Sequence, residues 1–494
     1  MKDAFLILGN QLFDQKYISP YKKDSIFFMQ EDMGLCTYFK HHKQKIYYFL
    51  GCMREYHEYL KKNKYNITYI DLEKNIKEFK DYFEGLSFFI KINNINRIKL
   101  FEIEDYLFRN KFENYCKKNQ IPFVFIRSPM FLLQKNDYTM FQNKKVQLAS
   151  FYSNIRKKYK ILVTNDKPTG GKWSFDNENR KRLPKDYLKF DIPSFKSPFY
   201  KDIRKLIDKY FKSHFGEINE NILFPFNHKD TQKSLAFFLK KKLSHFGDYE
   251  DFISSDDKCI NHSLLSAPLN MGLISPEDIV NEIKNIDHNI PGLNNLEGFT
   301  RQITGWREFI RFMNYQNYDQ FHQKNFFNHQ NKLKENWYEG TTNIPILDDT
   351  IINLKKYGYV HHIPRLMVLS NLMNLSGISP IEVYKWFMET FIDSSDWVMT
   401  PNVFGMGLFS DGGIFATKPY LCGSNYLLKM SDYKKGEWSN VVDGLYWNFI
   451  FNHKEYFKTN HRLSMMYHSV IKMDKKKLDS HINNARNFIQ QFTK

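Results

Sequence analysis

Ala4-Phe5-Leu6-Ile7-Leu8-Gly9-Asn10-Gln11 is the stretch that decides the fold class. Five apolar residues closed by a glycine and two amides read as a short buried strand entering a loop. Further runs continue the pattern. Lys45-Ile46-Tyr47-Tyr48-Phe49-Leu50, Ile67-Thr68-Tyr69-Ile70, Ile98-Lys99-Leu100-Phe101 and Phe123-Val124-Phe125-Ile126 are predicted strands, with a helix over 53–64. Strands alternating with helices predict an α/β domain built on a parallel, Rossmann-like sheet. Ligands of such sheets bind beyond the carboxyl ends of the strands, which makes Gly9-Asn10-Gln11 a candidate binding loop.

Past this domain the pattern changes. Asp166-Lys167-Pro168-Thr169-Gly170-Gly171-Lys172-Trp173 and Asn177-Glu178-Asn179-Arg180-Lys181 combine turn residues with charge and predict a long connector. Helical spacing then dominates, over 234–245, 276–285, 298–315, 361–374 and 380–391. The expected organisation is an α/β domain over 1–134, a linker over 135–200 and an all-α domain over 201–494. A chain of 494 residues is too long for one ordinary core, which agrees with this division. No apolar run is long enough to cross a bilayer, and Met1-Lys2-Asp3-Ala4 lacks a signal-peptide layout, so a cytoplasmic protein without a membrane partner is expected. The five cysteines are scattered, with no pair at the spacing of a zinc or cluster site. A net charge of +18 suits a phosphate-rich partner, and equally a surface of solvated lysines.

Four stretches of the helical half carry chemistry. His262-Ser263-Leu264-Leu265-Ser266 precedes a helix, where hydroxyls and N–H groups make either a phosphate cradle or a plain helix cap. Gln302, Trp306 and Phe309 share one helical face, beside a cofactor or in a core. His361-His362-Ile363-Pro364-Arg365 opens a helix. Neighbouring histidines point in different directions, which suits a proton donor better than a metal site, and a surface pair is the plain alternative. Asp393 lies in an apolar stretch and needs a partner, for which Arg365 is the candidate.

In this order the segments resemble the photolyase/cryptochrome superfamily, in its branch of bacterial photolyase-related proteins, also called iron–sulfur bacterial cryptochromes and photolyases. Leu8-Gly9-Asn10-Gln11-Leu12, His41-His42-Lys43-Gln44-Lys45, the run from Lys167 to Asp176, Phe246-Gly247-Asp248-Tyr249, Lys418-Pro419-Tyr420 and the double-histidine segment carry the likeness. The resemblance implies an antenna domain, a linker and a helical FAD-binding domain. It implies flavin contacts at Ser263, Leu264, Ser266, Gln302, Trp306, Arg365, Asp393 and Met399. His361 and His362 fall where members that repair (6-4) photoproducts face the lesion. Trp386 falls at the flavin-proximal electron-transfer position, with Tyr338, Trp337 and Tyr426 as further relays. Asn10, Gln11 and Glu31 would contact an antenna chromophore, 6,7-dimethyl-8-ribityllumazine.

The implied activity is light-driven repair of UV-damaged DNA, with (6-4) photoproducts as the expected lesion, by a monomer. A blue-light photoreceptor is the alternative, and a flavin-free nucleic-acid-binding relative is a third reading. Two departures stand out. The branch's cluster cysteines are missing: Ser431-Asp432-Tyr433 is followed by Lys434-Lys435-Gly436-Glu437-Trp438, and Ile346 stands near the fourth position. Lysine cannot replace a thiolate, so no iron–sulfur cluster and no other metal is expected. Met399 stands where the branch carries a carboxylate near the flavin, and a thioether is a poor hydrogen-bonding group.

Overall fold

A computed structural model describes residues 2–141, 146–191, 193–287 and 292–494. Five parallel strands form the first sheet: β1 (Lys2–Leu6), β2 (Ser25–Gln30), β3 (Ile67–Ile70), β4 (Ile95–Phe101) and β5 (Phe123–Ile126). Their order is β3-β2-β1-β4-β5, with Phe5 opposite Phe27 and Leu6 opposite Leu100. The direction of strand addition reverses between β1 and β4, so the crevice of a doubly wound sheet opens there. Gln11 spans it, donating from Nε2 to the Glu102 carbonyl at 2.9 Å.

Strand alternation divides the core. Ala4, Leu6 and Leu8 pack on one face with Phe28, Leu86 and Phe89. Phe5 and Ile7 face the other way, into a cluster that includes Ala267, Met271, Ile392 and Trp397 from the helical half. One face of the sheet is therefore docked on the helical half of the chain. The docking is also ionic: Arg311 grips Glu104, just past β4, at 2.6 and 2.9 Å.

Two local expectations change. Lys45–Leu50 is not a strand; it belongs to the helix Lys43–Lys62. Ile46, Tyr47, Tyr48 and Leu50 are all buried, because this helix is covered on several sides and shows no polar face there. The second strand is Ser25–Gln30, whose Ile26-Phe27-Phe28-Met29 run supplies the missing neighbour of β1. His42 caps the Lys43–Lys62 helix. Its Nδ1 accepts from the Gln44 amide at 2.9 Å, and its Nε2 reaches the Leu354 and Lys355 carbonyls at 3.1 Å, tying the two halves together.

The span 135–200 includes the helix Leu148–Tyr159, which packs on residues 301–306. Gly305 permits this contact, since a Cβ there would stand 3.1 Å from the Tyr152 ring. Among the described residues the long helical half contains three π-helical stretches, Arg301–Trp306, Pro364–Ser370 and Pro401–Gly407. Wide turns of this kind interrupt α-helices frequently at functional sites. The first carries Gln302 and Trp306, and the second carries Arg365.

Candidate functional site

Arg365 and Asp393 form a bidentate pair, with nitrogen–oxygen distances of 2.9 and 3.0 Å. The guanidinium also donates from Nε to the Val360 carbonyl at 2.7 Å and lies 4.2 Å from the Phe391 ring centroid. Asp393 is buried, and its carbonyl accepts from Asn270 Nδ2 at 2.9 Å. Asn270 in turn accepts from Arg307 at 2.7 Å. Next in the chain, the Ser394 carbonyl and hydroxyl accept from Lys45 Nζ at 2.9 and 2.7 Å. Burial pushes the Lys45 amine down to about 7, against the pull of Asp393 and Asp105. The pair thus sits in a fully braced frame reaching back to the α/β half.

The cradle segment is shaped as a loop into a short helix. Leu264 takes φ +56°, a left-handed conformation rare outside glycine, and Ser266 starts the helix Ser266–Met271. Ser266 Oγ is buried without a hydrogen-bond partner, and Ser263 is half-buried beside it in sequence. An orphaned buried hydroxyl at a helix start fits a phosphate or ribose oxygen. Gln302 Nε2 donates to buried Glu250 at 3.2 Å, and burial raises that carboxyl to about 7. Trp306 is half-buried and parallel to Phe415, with centroids 6.4 Å apart. Met399 is buried in the helix Asp396–Thr400.

The double histidine divides by exposure. His362 is exposed, and its Nε2 meets Asp251 Oδ1 at 3.2 Å. His361 is buried and stacks on His262, with centroids 4.4 Å apart and planes 22° apart. Burial, then the neighbouring imidazoles, holds His361 far below the ordinary imidazole range. Burial and His362 do the same for His262, so both are neutral near pH 7. From the sequence, His262 is placed only at the head of the cradle segment, with no role of its own, and Asp251 is not reached. The signals were their places, immediately before Ser263 and two residues after Tyr249 of the Phe246–Tyr249 segment.

Among the relay candidates, Trp386 is fully buried and donates from Nε1 to the Trp337 carbonyl at 3.0 Å. Phe387 and Phe391 lie against its ring at 5.3 and 6.2 Å, and of the other relay candidates Tyr338 is in ring contact with it, at 6.4 Å between centroids. The Trp337 ring faces Phe488 instead, and its Nε1 is tied to the Phe492 carbonyl. Tyr426 is half-buried against the same core and has no ring contact with Trp386 or Tyr338 among the described residues.

At the sheet crevice Asn10 is half-buried and Gln11 buried, with Gln11 Oε1 lacking a partner. The Glu31 carboxylate is saturated by Arg54 at 2.7 and 2.9 Å, the Tyr69 hydroxyl at 2.5 Å and the Leu72 amide at 2.8 Å. Where the branch's cluster cysteines would lie, Ile346 is fully buried, and Trp438 donates to the Lys434 carbonyl at 3.0 Å. Cys422 Sγ is buried and receives a hydrogen bond from Asn371 Nδ2 at 3.3 Å.

A doubly wound sheet docked on a π-interrupted helical half, with a buried Arg–Asp pair beside a loop-to-helix cradle, is the architecture of a two-domain flavoprotein. Comparison with known proteins agrees. Residues 5–223 match the family described as deoxyribodipyrimidine photo-lyase-related protein, and residues 298–421 match the FAD binding domain of DNA photolyase. A (6-4) photolyase of Agrobacterium fabrum is 32% identical over 94% of this chain and 95% of its own length. A bacterial class III photolyase structure from Agrobacterium tumefaciens covers 99% of this chain and 97% of its own, with TM-score 0.60 at 16% identity. A Synechocystis sp. PCC6803 cryptochrome structure covers 100% and 99%, with TM-score 0.57 at 13% identity. The chain belongs to the photolyase/cryptochrome superfamily, in its bacterial photolyase-related branch.

Proposed function

We propose that this chain repairs (6-4) photoproducts in UV-damaged DNA with light captured by bound FAD. The observation that carries this reading is the pairing of an exposed histidine, His362, with a carboxylate, Asp251, next to a buried neutral histidine. Likeness over nearly the full length to a (6-4) photolyase supports it, as does the strong positive charge, which suits a DNA backbone.

Ser263 and Ser266 would hold the phosphate-bearing part of FAD, since the Ser266 hydroxyl is buried and free. Arg365, Asp393, Gln302, Trp306 and Met399 would surround the ring system. Bound reduced flavin supplies a light-driven electron to the lesion. The chain's residues do the rest. The Arg365–Asp393 pair keeps fixed charges that need not reorganise when an electron moves. Asp251 holds one nitrogen of His362, and the imidazole provides the proton that rearrangement of a (6-4) lesion requires. His361 packs behind it and fixes its approach. The geometry favours Tyr338 over Trp337 and Tyr426 as the relay after Trp386.

Asn10 and Gln11 would face a 6,7-dimethyl-8-ribityllumazine antenna in the crevice, with Glu31 bracing the wall through Arg54. The proposal includes a monomer in the cytoplasm; no helix among the described residues is long and apolar enough to cross a membrane. It also includes the absence of an iron–sulfur cluster, supported by the buried Ile346 and Trp438. Met399, an apolar group at a flavin-facing position, favours one second reading, a blue-light photoreceptor with little repair. Illuminating the reduced protein with defined (6-4) and cyclobutane oligonucleotides separates the two: turnover of the former supports the proposal, and turnover of neither overturns it.

A further inference from the structure

His262, His361 and His362 converge from two segments a hundred residues apart. Each can offer one ring nitrogen such that all three lie within 4.8 Å of one another. His262 Nε2 and His361 Nδ1 are both buried and have no hydrogen-bond partner. A main-chain group also faces each of these rings, Glu250 for His262 and Phe252 for His361, and favours its protonated form against burial. A main-chain carbonyl that takes the N–H of one ring nitrogen leaves the other with a bare lone pair. His362 is held from outside by Asp251, the carboxylate–imidazole arrangement that commonly backs a metal ligand. Two unpartnered buried nitrogens are a cost to the fold that a ligand would remove.

We propose that these three imidazoles form a site for one divalent transition-metal ion of the zinc class, with its fourth position open. Imidazole donors select zinc, cobalt, nickel or copper over magnesium or calcium, which need oxygen ligands. A tetrahedral ion with Zn–N bonds of about 2.0 Å draws its ligands to about 3.3 Å apart. The rings must therefore tilt inward from their stacked arrangement, and the exposed His362 has the freedom to close the set. A bound ion occupies the lone pairs of all three rings and removes His362 from proton transfer, so zinc is a reversible inhibitor of repair. That consequence rests on the repair reading; the site itself rests on the imidazole geometry alone.

The test uses the full-length, flavin-loaded protein, stripped with a chelator and titrated with Zn2+ by equilibrium dialysis, with X-ray absorption at the zinc edge. The expected result is one tight ion per chain with three imidazole nitrogens at about 2.0 Å. His262→Gln and His361→Gln each weaken binding by about 100-fold or more, while exposed His468→Gln leaves it unchanged. Flavin content and circular dichroism confirm the fold of each variant, and His262→Asn replaces any that fails. No stoichiometric binding, or binding that survives loss of either buried histidine, overturns the site. Tight zinc binding in a protein that repairs no lesion overturns the repair reading and leaves the site standing. Repair intact without zinc binding does the reverse.

Discussion

Arg365 holds Asp393 through both terminal guanidinium nitrogens, at 2.9 and 3.0 Å, across the face of Phe391. The pair is mostly shielded from water, with Asp393 at 4% and Arg365 at 19% side-chain exposure. Removing one partner from such a pair leaves an uncompensated charge, whereas removing both leaves none. Asp393→Ala is therefore expected to cost about 3 kcal/mol of stability and to lower the flavin content of the purified protein. Adding Arg365→Met restores much of the stability but not the flavin content. Thermal unfolding, with flavin absorbance per chain, distinguishes the two effects.

The ring geometry around Trp386 sets the route of electron supply. Of the rings in contact with it among the described residues, only Tyr338, at 6.4 Å, is readily oxidised, the nearer two being Phe387 and Phe391, while the Trp337 ring faces Phe488. Trp386→Phe is expected to abolish light-driven reduction of the bound flavin. Tyr338→Phe slows it by about 10-fold or more, since phenylalanine is far harder to oxidise. Trp337→Phe leaves the rate within about 2-fold, because that ring packs on Phe488 and bonds the Phe492 carbonyl with no ring contact to Trp386 among the described residues. Absorbance under blue light with an external reductant reports all three, and equal loss in the Tyr338 and Trp337 variants would refute the route.

Acid should loosen the junction between the two halves. His42 is fully buried, and burial drives its imidazole down to about 4, against the Lys355 and Leu354 carbonyls. The unfolded chain takes up that proton near pH 6.5, before the folded one does. Stability is thus fully present above about 6.5 and is lost as pH falls toward 4. His42→Gln keeps an acceptor for the Gln44 amide without the titration. Over that window the wild type is expected to lose about 2–3 kcal/mol more than the variant, measured by urea unfolding.

Much of this was legible in the sequence, for identifiable reasons. β1, β3, β4 and β5 are apolar runs ended by turns or polar residues, and Arg365 and Asp393 announce each other because a carboxylate in an apolar stretch needs a partner. Lys45–Leu50 misled because periodicity disappears in a helix buried on several sides, leaving an apolar run that reads as a strand. Ser25–Gln30 follows the polar Tyr21-Lys22-Lys23-Asp24 segment, and its strand character shows only from the gap beside β1. The π-helical turns have no sequence signature at this level. His262 joins His361 through packing across a hundred residues, which no local pattern encodes. The saturation of Glu31 by Arg54, Tyr69 and Leu72 was hidden for the same reason.

The central claim is light-driven repair of (6-4) photoproducts with His362 as the proton donor. The most direct measurement is single-turnover illumination of the reduced protein with a (6-4) oligonucleotide, for wild type and His362→Ala side by side. The expected result is restored bases with the wild type, and loss of at least about 100-fold with the variant at unchanged flavin content. Equal repair by both, or repair by neither while a cyclobutane dimer is repaired, would contradict it.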